Sequence, residues 1–206
     1  VVNNKNPLNE GTMKAAKNIK LVCQLATGYD NVDVEYCRQR GIGVANVRNY
    51  STAAVVQHTL ALALSVLENL PYYDNFVKSG AYSAQPRFSF YEKTYYELEG
   101  KTWGIVGMGN IGRGVAAVAQ ALGCRVIFYS TSGQSSCREY ERVEWEELLA
   151  QSDVLSLHCP LTGRTRHLID RTALEKMKPE AILINVARGP VVDTDALVEA
   201  LLQGQI

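Results

Sequence analysis

Three glycines, Gly107, Gly109 and Gly112, stand at the spacing G-x-G-x-x-G within TWGIVGMGNIGR, residues 102–113. An apolar run precedes them and a helix-forming stretch follows. The chemistry open to such a loop is to cradle a pyrophosphate. The first glycine makes a tight turn, the second lets the backbone approach the phosphates, and the third lets helix and strand pack closely. The phosphate charge then rests at the positive end of the helix that Asn110 and Ile111 open. A glycine-rich turn occurs in many α/β proteins. The strand before this one and the apolar strand after it favour a dinucleotide.

The same loop raises the question of which dinucleotide. An acidic residue about 20 positions on commonly accepts hydrogen bonds from the adenosine ribose. Here the strand VIFY ends instead in Ser130, Thr131, Ser132 and Gly133. Hydroxyls can bond to either coenzyme, and the nearest downstream arginine is Arg138. The choice stays open between NAD and NADP, with NAD slightly favoured.

A second candidate for chemistry is Arg188, just past the apolar run AILINV. Ligands of open parallel sheets bind beyond the carboxyl ends of the strands. A guanidinium there could pair with a carboxylate, polarise a carbonyl and stay charged throughout. The competing reading is a solvated arginine in a surface loop. None of the three histidines recommends itself as an acid/base. His58 lies in an apolar helix and reads as buried or at an interface, His158 ends a strand, and His167 sits in a polar loop. No His/Cys/Asp cluster has metal-ligand spacing.

The elements that must position these residues alternate. Strands are expected over 20–25, 42–47, 102–106, 125–129, 154–158 and 182–186. Helices are expected over 33–40, 52–70, 111–122, 145–151, 172–176 and 194–202, with Pro71 breaking the long one. Residues 72–96 read as a short helix and an irregular loop. Strand–helix alternation implies an α/β fold, a doubly wound parallel sheet with right-handed crossovers. A boundary near 46–50 separates a small, incomplete α/β piece from a larger dinucleotide-type domain.

Length and composition agree with this. The chain has 206 residues, 47% of them hydrophobic, enough for a sizeable core. Lys plus Arg equals Asp plus Glu, 21 each. That balance gives no electrostatic footprint for nucleic acid or an anionic membrane, so a small molecule or a second copy is the expected partner. The apolar stretch 53–67 is interrupted by Gln57, His58, Thr59 and Ser65, so it reads as a buried helix and not a membrane span. The opening Val1-Val2-Asn3-Asn4 has no Met and no basic-then-apolar entry, which suggests a truncated start and no signal peptide. Five cysteines without a CxxC pair suit a reducing compartment, by default the cytoplasm. Cys23, Cys124 and Cys159 read as small core residues.

Five segments together resemble the D-isomer-specific 2-hydroxyacid dehydrogenase family. They are LATGYDNVD (25–33), STAAVVQHTLAL (51–62), GIVGMGNIGR (104–113), SDVLSLHCPLTGRTRHLI (152–169) and INVARGPVVDTDAL (184–197). The stretch 71–99 and the YSTSGQ turn lie closest to the glycerate dehydrogenase and hydroxypyruvate reductase branch. The resemblance implies hydride transfer between NAD(P)(H) and a small 2-hydroxy or 2-oxo acid. It implies a partial substrate domain at 1–47, a Rossmann-like coenzyme domain at 48–206, and a homodimer built partly through the long helix. Arg188 becomes the catalytic arginine. The turn bearing Thr27 and Gly28 presents backbone N–H groups to the substrate carboxylate; from its residues alone it is an ordinary turn capped by Asp30 or Asn31. His158, Cys159, Pro160 and Thr165 line the coenzyme, as do Ser130 and Thr131. Val186, Ala187 and Arg188 border the nicotinamide. Thr59 resembles a threonine near that ring, and reads equally well as a helix threonine bonded to its own backbone. The family's Glu and Pro-His fall beyond residue 206, so the 206-residue stretch is expected to be inactive alone. Some relatives of this architecture are coenzyme-sensing corepressors, an alternative that the neutral charge disfavours.

Overall fold

The computed structural model describes Val2 and residues 5–206. It contains two parallel sheets. In the first, β1 (Leu21–Gln24) pairs with β2 (Gly43–Asn46), after the short α1 (Glu10–Met13) and joined by α2 (Val34–Gln39). Met13, Val22, Val32, Cys37 and Ile42 close a small core of its own. Asp33 caps α2 by accepting from the Tyr36 N–H, one of the donors a helix start leaves unpaired.

α3 (Thr52–Leu67), α4 (Leu70–Lys78) and α5 (Ala81–Ala84) lead to the second sheet. It is built from β3 (Thr102–Val106), α6 (Asn110–Ala121), β4 (Arg125–Tyr129), β5 (Glu141–Arg142), α7 (Trp145–Gln151), β6 (Val154–Leu157), α8 (Arg171–Lys176), β7 (Ile182–Asn185) and α9 (Thr194–Leu202). The strand order is β5-β4-β3-β6-β7, all parallel. β3 alternates its faces. Trp103 and Ile105 pack with Phe128, Val115 and Leu60, while Val106 packs with Ile127, Leu157 and Leu148 on the other side. Both faces are covered, which is why these strands read as unbroken apolar runs. The chain winds outward from β3 in both directions, so the switch point lies between β3 and β6, where open sheets bind ligands.

Three expectations are corrected. The long helix ends at Leu67, not 70, because Asn69 adopts a left-handed φ of 50°. Pro71 does not break it but lies in the first turn of α4, where its missing N–H costs nothing. α3 is not wholly buried. Leu60, Ala63 and Leu67 face the core, but Val66 is 58% exposed and Leu62 38%. The strand β5 escaped notice because two residues, both charged, carry no apolar signal.

Candidate functional site

The phosphate loop is set by the end of β3. Gly107 has φ 94°, and its N–H donates to the Tyr129 carbonyl at 3.0 Å. A Cβ at Gly107 would lie 3.0 Å from the Cys159 backbone nitrogen, and one at Gly112 2.3 Å from the Gly107 carbonyl oxygen. These two glycines are required by the protein's own packing. Gly109 is different: a Cβ there meets nothing within 4 Å. The first α-helical bond of α6 runs from the Arg113 N–H to the Gly109 carbonyl. The N–H groups of Asn110, Ile111 and Gly112 precede this bond, in the first turn at the positive helix end. The Asn110 side chain donates to Asn49 Oδ1 at 2.7 Å, tying the helix start to the segment joining the two sheets.

The turn after β6 closes the other side of the switch point. The His158 N–H donates to the Val106 carbonyl. The ring Nε2 lies 3.0 Å from Ser156 Oγ, which also accepts from Trp103 Nε1. The other ring nitrogen, Nδ1, is buried with no hydrogen-bond partner among the described residues. Burial pulls the His158 pKa down to about 4, so the ring is neutral at pH 7. Burial pushes the Cys159 thiol up to about 11, which keeps it protonated and unfit as a nucleophile. Pro160 is exposed beside them. Thr165 is buried, donates to the Pro160 carbonyl at 2.6 Å and accepts from the Thr162 N–H, so it holds the loop's shape.

Arg188 lies over the turn between β1 and α2. Its Nε donates to Asp30 Oδ1 at 2.8 Å and its Nη1 to the Ala187 carbonyl at 2.9 Å. A Cβ on Gly28 would lie 1.6 Å from Arg188 Nη2. The guanidinium therefore occupies the volume that any side chain at position 28 would fill. The turn itself is pinned. Thr27 donates to the Val47 carbonyl at 3.0 Å, and Asn46 Nδ2 donates to the Thr27 carbonyl at 2.7 Å. Asn185 shapes the approach to Arg188, its side chain accepting from the Ala187 N–H and donating to the Arg188 carbonyl.

The remaining candidates are dispersed. Thr59 is fully buried and donates to the Val55 carbonyl at 2.7 Å. Val186 and Ala187 line a groove with His58, which is exposed on α3; of the two sequence readings, buried or at an interface, burial within the chain is excluded. Ser130 and Thr131 line a separate cavity at the end of β4, together with Arg142 and Arg164. Asn185, Arg142 and Arg164 were missed by sequence reasoning, as was the pairing of Asp30, read there only as a turn cap, with Arg188. An Asn at a strand's end is a turn signal that could have been read; the partners of Asp30 and the two arginines are tertiary. His167 lies 3.5 Å from Asp193. No group of three potential metal ligands occurs among the described residues, nor does any single helix long and apolar enough to cross a membrane. The open space over Gly109, the positive N-terminus of α6 and the orphaned His158 Nδ1 fit a bound dinucleotide.

Comparison with known proteins agrees. Residues 60–206 match the NAD-binding domain of the D-isomer specific 2-hydroxyacid dehydrogenases. The chain is 37% identical to a hydroxypyruvate reductase of Blautia hydrogenotrophica, with 100% of this chain and 65% of that protein covered. It is 41% identical to a glyoxylate reductase of Thermococcus litoralis, over 94% of this chain and 60% of that protein. A crystal structure of D-lactate dehydrogenase from Aquifex aeolicus, complexed with NAD and lactic acid, superimposes with a TM-score of 0.90 at 34% identity, over 100% of this chain and 61% of that one. The chain thus spans less than two thirds of the length of these relatives. With a family match over most of its residues and a shared fold along its whole length, the chain belongs to the D-isomer-specific 2-hydroxyacid dehydrogenase family.

Proposed function

We propose that the protein transfers a hydride between NAD(P)(H) and a small 2-hydroxy or 2-oxo acid, with glycerate and hydroxypyruvate as the leading pair. The observation that carries this reading is the seating of Arg188 against Gly28, where the guanidinium fills the volume of an absent side chain. Asp30 and the Ala187 carbonyl engage Nε and Nη1, and the Nη2 edge is left for a ligand. A 2-oxo acid presents a carboxylate and an adjacent carbonyl, and a guanidinium can engage both. The backbone N–H groups of the Thr27–Gly28 turn complete the carboxylate site. The bound coenzyme supplies or accepts the hydride; the phosphate loop from Gly107 to Gly112 orients it, with His158, Cys159, Pro160, Val186 and Ala187 along its length. Residues 1–47 then form part of a substrate domain and 48–206 the coenzyme domain. Hydroxypyruvate reductase and glyoxylate reductase are the names its relatives carry, which supports this substrate class.

The apolar outer face of α3, with Val66 and Leu62 exposed, supports a homodimer. Five free cysteines support a reducing, cytoplasmic setting. We further infer that the 206-residue stretch alone reduces no 2-oxo acid. Arg188 cannot release a proton near neutral pH, and His158 is held neutral. A positioned acid contributes roughly 10²–10⁴-fold to such a step. The test is coenzyme oxidation with hydroxypyruvate and glyoxylate. Turnover is expected from the full-length protein, loss with Arg188→Ala, and background from residues 1–206. Full activity in the Arg188→Ala variant would sink the assignment.

A further inference from the structure

Trp103, Ser156 and His158 form a chain of polar groups inside an otherwise apolar layer. Trp103 on β3 pairs in register with Val154 on β6. Side chains of a strand alternate between its faces, so Val154, Ser156 and the following His158 share one face. Trp103 and Val154 pack in the core on that side. Trp103 and Ser156 are both fully buried. The indole Nε1 donates to Ser156 Oγ at 2.9 Å, and Ser156 Oγ lies 3.0 Å from His158 Nε2.

The direction of the protons follows from a count. An indole N–H is a donor only, so Ser156 Oγ accepts from Trp103. Ser156 then has one proton of its own to place, and no described residue other than His158 offers it an acceptor. A buried hydroxyl proton left unspent is costly, so it is donated to Nε2. Burial keeps the ring neutral, and a neutral imidazole carries its proton on the nitrogen that does not accept. That nitrogen is Nδ1, which is buried with no partner among the described residues. The residue that bears this orphaned donor is a wall of the phosphate loop. Its backbone N–H donates to the Val106 carbonyl, and a Cβ on Gly107 would lie 3.1 Å from its carbonyl carbon. We propose that Trp103 and Ser156 are positioning residues: their hydrogen bonds fix His158 in the tautomer with its proton on Nδ1, so that the imidazole presents a ready-made donor to an oxygen of the bound coenzyme. This rests on the coenzyme reading above. The gain is preorganisation. A ring free to exchange tautomers would meet the coenzyme with a lone pair part of the time, and a lone pair facing a phosphate or ribose oxygen repels it.

Nitrogen NMR of the full-length protein with labelled histidine tests this without turnover, because the bare and the proton-bearing nitrogen of a neutral imidazole resonate far apart. The His158 signals are assigned by their loss in His158→Asn. At pH 7 and without coenzyme, Nδ1 of the wild-type protein is expected in the proton-bearing range and Nε2 in the bare range. Ser156→Ala and Trp103→Phe should each draw the two signals toward one another, although Trp103 donates to Ser156 and not to the ring. Each should also weaken NADH binding by roughly three- to tenfold in calorimetry. The wild-type spectrum decides the tautomer even if a core variant fails to fold. Adding ADP, ADP-ribose or NADH locates the acceptor: the smallest of the three that shifts the Nδ1 signal contains it. A proton on Nε2, or an averaged pair of signals in the wild-type protein, would overturn this assignment. So would an Nδ1 signal unmoved by all three nucleotides while calorimetry shows them bound, and the coenzyme reading would then stand. Failure of all three to bind would overturn the coenzyme reading and the donor role with it, whatever the tautomer.

Discussion

At the scale of single residues, two glycines do opposite things, and the difference is testable. A methyl at Gly28 meets Arg188 Nη2 at 1.6 Å. The clash is with the far end of a flexible side chain, so the fold should survive Gly28→Ala while the guanidinium shifts. A displacement of about 1 Å at a reacting centre can cost roughly 10²-fold in rate. Gly28→Ala should therefore lower kcat/KM for the 2-oxo acid by about that factor, with coenzyme affinity unchanged. Gly109 offers the complementary case. Its Cβ position is free of protein atoms, so Gly109→Val should keep the melting temperature but abolish coenzyme binding, measured by calorimetry. A well-folded Gly109→Val protein with wild-type affinity for both NADH and NADPH would show that no pyrophosphate lies there. The motif spacing identifies all three loop glycines, but it cannot tell which are spoken for by the protein. Gly107 and Gly112 answer to Cys159 and to each other, whereas the space beside Gly109 is left open by the protein.

At the scale of elements, packing explains what periodicity could and could not show. The regular strands from β3 onward are legible because burial on both faces demands continuous apolar runs. β5 is illegible because its pairing with Phe128 and Ile127 uses backbone alone. α3 was legible as apolar, but its sequence does not say which face is covered. Covering comes from α6, and Gly114 is where the two helices meet. A Cβ at Gly114 would lie 2.6 Å from Val56 Cγ2. That Val56 methyl is held on a stiff β-branched side chain in a helix and cannot swing away freely. Gly114→Ala should therefore destabilise the protein by roughly 1–3 kcal/mol in denaturant unfolding, despite alanine's better helix propensity. Val56→Ala in the same background should recover most of the loss, because the clash is with one methyl group. A Gly114→Ala protein more stable than wild type would mean that α3 and α6 are further apart than this geometry requires.

At the scale of the whole molecule, the site depends on contacts between the two sheets that no local pattern announces. Arg188 and Asp30 are 158 residues apart in sequence. Both were legible singly, one as a candidate for chemistry and the other as a turn cap, but their pairing is a property of the assembled chain. The same holds for His158, whose strand-end position was plain and whose environment was not. Its burial carries a consequence for global stability. The folded pKa of about 4 lies below the ordinary value of 6.5, so the unfolded chain binds the proton more readily. Stability from the neutral ring is therefore fully present above about pH 6.5 and is lost as pH falls toward 4, by at most about 3 kcal/mol. Equilibrium unfolding between pH 7 and pH 4 measures it. Acidic groups also titrate near the lower end, so the informative quantity is the difference from His158→Asn, which cannot take up the proton. That variant should be less stable at pH 7, having lost the ring's packing, yet show a shallower decline between pH 6.5 and 4.5. Bound coenzyme should deepen the wild-type decline, since a ligand against the ring excludes the water that a charged imidazolium would need. Parallel pH profiles for the two proteins would mean that His158 is solvated in solution and that the turn after β6 is more open than its hydrogen bonds to β3 and Ser156 imply.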